Sequence, residues 1–162
     1  MEGAFKEMKT IRSMFEQLYW ADKRILDALE AGGDGESEAE AIRLLSHTLR
    51  AEQVWFTRLQ GQDSNHLPLW PNDSLDDCKR LAQEMREAFS AYLAELTDER
   101  LDDVITYSNQ YGRSYRTSVQ DILTHLALHG QYHRGQINMK LRTAGMEPVN
   151  VDYITFVRQQ GQ

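Results

Sequence analysis

Three histidines recur at four-residue intervals in the stretch His125-Leu126-Ala127-Leu128-His129-Gly130-Gln131-Tyr132-His133. The chemistry that such a stripe can serve is metal binding. On an α-helix a four-residue step turns about 40° and rises about 6 Å, so successive imidazoles share one face and two of them can reach one cation. With His129 taken as zero, Val119, Ile122, Leu123, Leu126, Ile137 and Leu141 fall between roughly 20° and 120° on the helical wheel, which makes that arc the core-facing one. His133 falls inside the arc and His129 at its margin. His125, at about −40°, lies further out and ranks behind the other two.

A mononuclear catalytic centre commonly takes three protein ligands and keeps a position for water or substrate, so a third ligand must come from elsewhere. His47 is the best candidate, since Leu44, Ala51 and Val54 place it at the edge of an apolar helical arc. His66 sits in a polar stretch and is the weaker choice. His-Gly-Gln-Tyr-His lacks the glutamate that serves zinc peptidases as general base, so a protease is not indicated. Paired carboxylates of glycosidase type, a serine elbow, a phosphate-cradling glycine loop and a CxxC pair are all missing from the sequence. All-nitrogen ligation suits zinc, nickel, copper, cobalt or iron, and the donor set alone leaves the metal open.

The elements that must position these residues are legible as helical periods. Apolar residues recur at helical spacing from Phe5 to about Glu30, and Ala31-Gly32-Gly33-Asp34-Gly35 stops the run. Ser37, with Glu40 three residues on, reads as the cap of a second helix that carries His47 and ends near Gly61. Gln62 to Asp73 is loop chemistry with two prolines, and Trp70 is an aromatic available there to cover an opening. Ser74 with Asp77 forms a further capping box, opening a third helix that closes near Asp98. From Leu101 to Thr117 the β-favouring Val104, Thr106, Tyr107, Tyr111, Tyr115 and Thr117 surround Gly112, which suggests a short hairpin. A fourth helix follows from about Ser118 to Thr143, with Asp121 in its first turn and Gly145 as its stop. The tail from Asn150 to Gln160 can add a short fifth helix. The expected architecture is all-α: a four-helix bundle with a short hairpin between the third and fourth helices and a short C-terminal helix.

At 162 residues the chain is expected to form one domain, 1–162, without staples. Its single cysteine, Cys78, excludes an internal disulfide, and the opening residues carry acids in place of a leader's apolar run. A cytoplasmic location follows as the expectation. No stretch approaches the roughly 20 apolar residues of a membrane helix. A formal charge of −7, with bases interspersed among acids, repels phosphate backbones and disfavours nucleic acid.

The run His125-Leu-Ala-Leu-His129-Gly-Gln-Tyr-His133-Arg-Gly-Gln136 resembles the C-terminal helix motif of the DinB (YfiT-like) family. Further anchors of the likeness are Tyr19-Trp20-Ala21-Asp22, Leu45-Ser-His47, the Tyr107 to Gly112 stretch and Asp152-Tyr-Ile-Thr-Phe156. The resemblance implies a four-helix bundle that binds a divalent metal, often nickel or zinc, through three histidines that fall here on His47, His129 and His133. It also implies a homodimer, and in some relatives an enzyme that transfers or isomerises small-molecule substrates with a low-molecular-weight thiol. One departure is Asp22, where the family often has asparagine, which bears on hydrogen bonding near the pocket and leaves the metal ligands untouched.

Around the ligands, Trp20 and Trp55 read as core or pocket-wall aromatics, and His125 as a pocket-edge residue. Tyr132 is a weak candidate for a phenolic proton donor beside the metal. Gln136, near −20° and one turn past the ligands, either holds a ligand imidazole or faces solvent. Arg134, at about 140°, is expected to pair with an acid on a neighbouring helix. Cys78 has no activating partner in sequence and reads as a passive thiol. The function expected is a metal-dependent S-transferase acting through a thiol. The alternatives are a non-catalytic metal- or small-ligand-binding stress protein, a metal-dependent hydrolase, or a helical interaction module whose histidines are ordinary residues.

Overall fold

Side-chain caps decide where two of the long helices begin. Ser74 Oγ accepts a hydrogen bond from the Asp77 amide at 3.1 Å, and the Asp77 carboxylate accepts one back from the Ser74 amide at 2.9 Å. This reciprocal pair opens α3 (Leu75–Glu95). Ser118 Oγ likewise accepts from the Asp121 amide at the start of α4 (Val119–Thr143). The computed structural model describes residues 2–32 and 35–161 and places α1 at Glu2–Ala31 and α2 at Glu36–Leu59.

Ser37 does not cap α2. The helix begins one residue before it, Gly35 takes the capping position with extended backbone, and no side chain closes that end. Gly33 and Asp34 of the expected turn lie outside the described residues. At the other boundary Gly145 ends α4 as expected, with φ of 74°, and the amides of Gly145 and Met146 return to the carbonyls of Arg142 and Leu141. A side chain there would be strained in the left-handed region.

Strands β1 (Val104–Ser108) and β2 (Ser114–Ser118) form the hairpin between α3 and α4, paired antiparallel from Val104↔Ser118 to Ser108↔Ser114. Before it a 3₁₀ turn over Asp98–Asp102 buries Leu101, an element the helical and β periods both pass over because it is too short to show either. Helix α5 (Tyr153–Gln160) closes the chain against α1, where Phe156 meets Trp20 with ring centroids 5.7 Å apart.

The protein is an all-α helical bundle with one small hairpin. Phe15, Ile25, Leu45, Leu49 and Phe89 from the first three helices meet the six residues of the α4 arc, each of which is buried. Burying a side chain of that size stabilises the fold by about 1.5–3 kcal/mol, so four apolar stripes suffice to hold the bundle without crosslinks. The arc extends one residue further than the wheel gave it, since Arg134 is 0% exposed. Among the described residues no helix is long and apolar enough to cross a membrane.

Candidate metal centre

Helices α2 and α4 make the broadest helix contact in the bundle, and across it His47 meets His129 and His133. One ligand atom from each lies within 4.8 Å of the other two. The His129 and His133 Nε2 atoms are 3.1 Å apart, close to the roughly 3.3 Å that two nitrogens would take on a tetrahedral ion with 2.0–2.1 Å bonds. His47 stands edge-on to both partners, with ring centroids 5.3 Å from His129 and 4.8 Å from His133.

The outer nitrogens set the tautomers. His133 Nδ1 donates to Gln136 Oε1 at 2.7 Å, and His47 Nδ1 donates to the Leu69 carbonyl at 3.0 Å. Both oxygens can only accept, so each δ nitrogen carries the proton and each ε nitrogen is left with a bare lone pair. That is the arrangement in which an imidazole ligates a cation. Burial, then the neighbouring His133, lowers the His129 pKa to about 4. Burial also lowers His47. The donor set and its hydrogen bonding therefore fit a divalent ion of the zinc or nickel kind, held by three neutral imidazoles.

A loop supplies one wall. Arg50 clamps Asp73 with two hydrogen bonds of 2.9 and 2.8 Å while Ser46 donates to the same carboxylate at 2.6 Å, and this guanidinium holds the Asp73 pKa below its usual range. The end of the 60–74 connection is thereby pinned to α2. Its Leu69 carbonyl then reaches His47, and Trp70 lies flat on the His47 ring. Trp70 covers the site as an aromatic in that loop was expected to. The Leu69 contact uses a backbone atom and has no signature in sequence.

The remaining expected residues divide. Gln136 does hold the imidazole of a candidate ligand, His133. Tyr132 is 66% exposed, its ring lies beside His133 at 5.1 Å, and its hydroxyl accepts from Gln136 Nε2 at 3.5 Å. His125 is exposed at the edge, its ring 5.4 Å from His129 and 5.5 Å from Trp55. Trp55 in turn meets Tyr107 of the hairpin, with Arg58 over both rings. Trp20 is not brought to the histidines: it faces Phe156 and Arg24 on the α1–α5 side. His66 sits exposed in the loop and is outside the trio.

Behind the ligands Arg134 pairs with Asp22 of α1 at 2.9 Å, the neighbouring-helix partner expected of it, and also donates to Gln131 and to the Leu18 carbonyl. Gly130 makes room for it, since a Cβ there would stand 3.0 Å from Arg134 Nη2. This buried ion pair fixes the face of α4 that carries the histidines. Glu52, which the sequence reading passed over, lies beside that pair and raises a separate question. Its place among Leu45, Leu49 and Phe56 at helical spacing, an acid within an apolar stripe, is the signal that could have found it. Cys78 is buried, and burial pushes its thiol up to about 12, which suits the passive role expected of it.

Known proteins resemble this chain in sequence and in fold. Protein DinB of Bacillus subtilis (strain 168) is 24% identical over 164 residues, covering 86% of this chain and 89% of its own. The uncharacterized protein YizA of the same organism is 24% identical over 110 residues, 68% of each chain. The crystal structure of a DinB-like protein from Bacillus cereus ATCC 10987 superposes with a TM-score of 0.55 at 19% identity, over 86% of this chain and 95% of that one, which speaks to the fold. The model of the DinB family matches residues 8–162, taking in all three histidines and every helix that positions them, so this chain belongs to the DinB family.

Proposed function

We propose that this DinB-family protein is a divalent-metal-dependent enzyme that transfers the sulfur of a low-molecular-weight thiol to a small electrophilic substrate, with zinc or nickel bound by His47, His129 and His133. The observation that carries the reading is the pair of δ-nitrogen hydrogen bonds, His133 to Gln136 and His47 to Leu69, which leave two bare ε nitrogens, that of His133 being 3.1 Å from His129 Nε2. Three neutral ligands leave the charge of a divalent ion undiminished, and such an ion lowers the pKa of a bound thiol or water towards neutrality. The protein's own part is to orient the imidazoles and to exclude bulk water on the Trp70 side. In the reaction the thiolate sulfur forms a bond to carbon of the electrophile, a leaving group departs with the electron pair, and the thiol proton passes to solvent.

Assembly as a homodimer belongs to the same proposal. Leu128, Tyr132 and Met139 form one exposed stripe on α4, an apolar surface beside the site for a second copy to cover.

The test uses protein purified without a histidine tag. Elemental analysis is expected to return about one zinc or nickel per chain, and none for His129→Ala. Metal-loaded protein is then expected to accelerate the reaction of glutathione or another small thiol with monobromobimane, releasing bromide, while the metal-stripped form does not. Stoichiometric metal without acceleration for any thiol tried would reduce the proposal to metal binding; no metal at all would end it.

A further inference from the structure

A second polar site lies in the bundle away from the histidines. Between α1, α2 and α3 is a cavity of about 260 Å³ whose inner wall includes Glu52 and Asp22. At about 30 Å³ per water molecule it holds eight or so waters, or a short aliphatic chain. Glu52 is 2% exposed, and neither of its carboxyl oxygens has a hydrogen-bond partner. Asp22, next to it, is already matched by Arg134. A buried acid without a partner is costly, and a protein of this packing satisfies nearly all such groups. Something absent from the chain itself is therefore expected to complete Glu52.

The rest of the wall says what that is. Leu18, Leu26 and Ala82 are apolar, and two more acids, Asp27 and Glu30, stand exposed at the mouth. The cations there are engaged: Lys23 with Asp27, Lys79 with Glu30, and Arg86 over the Tyr19 ring. The acids at the mouth are thus already matched, and one unmatched acid at the closed end, between aliphatic walls, suits the charged end of a short aliphatic amine. We propose that this cavity is a binding site for a small aliphatic ammonium ion, with Glu52 as its counter-ion. The terminal torsion of a glutamate is broad, so a small turn of the carboxyl brings an oxygen to the ligand.

Proton linkage gives the site a signature. Burial and the nearby Asp22 carboxylate, opposed by Arg134, hold the Glu52 pKa well above the usual carboxylate range, which favours the protonated acid in the empty site. An ammonium ion binding to carboxylate releases that proton.

Calorimetric titration of the purified full chain with n-butylamine, in two buffers of differing ionisation enthalpy at pH 7, tests this. Saturable binding accompanied by proton release is expected, with n-butanol not binding. Glu52→Gln is expected to weaken binding at least tenfold and abolish proton release, Ala82→Phe to block the cavity, and His129→Ala to leave binding unchanged. That last comparison separates this site from the metal centre. Absence of saturable binding, meaning that water alone fills the cavity, would overturn the proposal, as would binding that survives both Glu52→Gln and Ala82→Phe.

Discussion

The imidazole of His47 and the indole of Trp70 lie parallel, 3.7 Å between centroids and 4° between planes. A loop residue thus covers a candidate ligand that belongs to a helix, and it does so at 49% exposure, so its outer face meets solvent. Binding of Ni²⁺ is expected to quench tryptophan emission, and Trp70→Phe to remove most of that quenching although Trp20 and Trp55 remain. Trp70→Ala should leave metal stoichiometry intact while hastening metal loss to a chelator. Quenching of equal size in wild type and Trp70→Phe would show that the ion binds elsewhere.

Gln136 orients His133 by accepting from its Nδ1, so under the proposed metal site it is expected to act on the ion through that imidazole. Gln136→Leu removes the acceptor that keeps the His133 proton on Nδ1, and loss of such a partner typically costs about 10–100-fold in metal affinity. Competition with a chromophoric chelator measures it. Gln136→Glu, which keeps an acceptor, should retain most of the affinity.

Arg134 is wholly buried against Asp22 with Glu52 nearby. Arg134→Met strands a buried carboxylate and is expected to destabilise the fold by about 3–5 kcal/mol in urea denaturation. Adding Asp22→Leu should recover much of that loss, because the penalty comes from the unpaired charge and the sites are coupled. An additive double variant would contradict this account.

Acid sensitivity of the metal-free protein follows from His129. Its folded-state pKa of about 4 lies below the roughly 6.5 of an unfolded histidine, so above pH 6.5 both states are neutral. As pH falls from about 6.5 towards 4 the unfolded chain takes up a proton that the folded chain refuses, and stability declines. Asp22 and Glu52, whose folded pKa values burial raises, work in the opposite direction over part of that range. The difference between wild type and His129→Gln isolates the histidine: denaturation at pH 7.5, 6, 5 and 4.5 with chelator present should show the variant losing less stability. Parallel curves would rule out the depressed His129 pKa.

Much of this architecture follows from local pattern. The capping box at Ser74 and Asp77, the stop at Gly145 and the α4 arc depend on residues within a turn or two of each other, and such chemistry is written along the chain. The four-residue spacing of His129 and His133 belongs to the same class, because helix geometry alone brings the pair together. Local signals failed where they were short or duplicated. The 3₁₀ turn over Asp98–Asp102 spans too few residues to show a period, and Ser37 looked like a cap although the helix had already begun at Glu36.

By itself, then, the sequence determined the helices, the hairpin, the two α4 histidines and, from its place at the edge of an apolar arc and from the resemblance, His47 as the third candidate. Tertiary structure alone decided that the Leu69 carbonyl meets His47, that Trp20 turns to α5, that Arg134 finds Asp22 112 residues away, and that Glu52 is left without a partner. The physical reason is that helix periodicity tells which face a side chain occupies, whereas which groups from other helices and loops come to lie against that face depends on how the whole bundle closes.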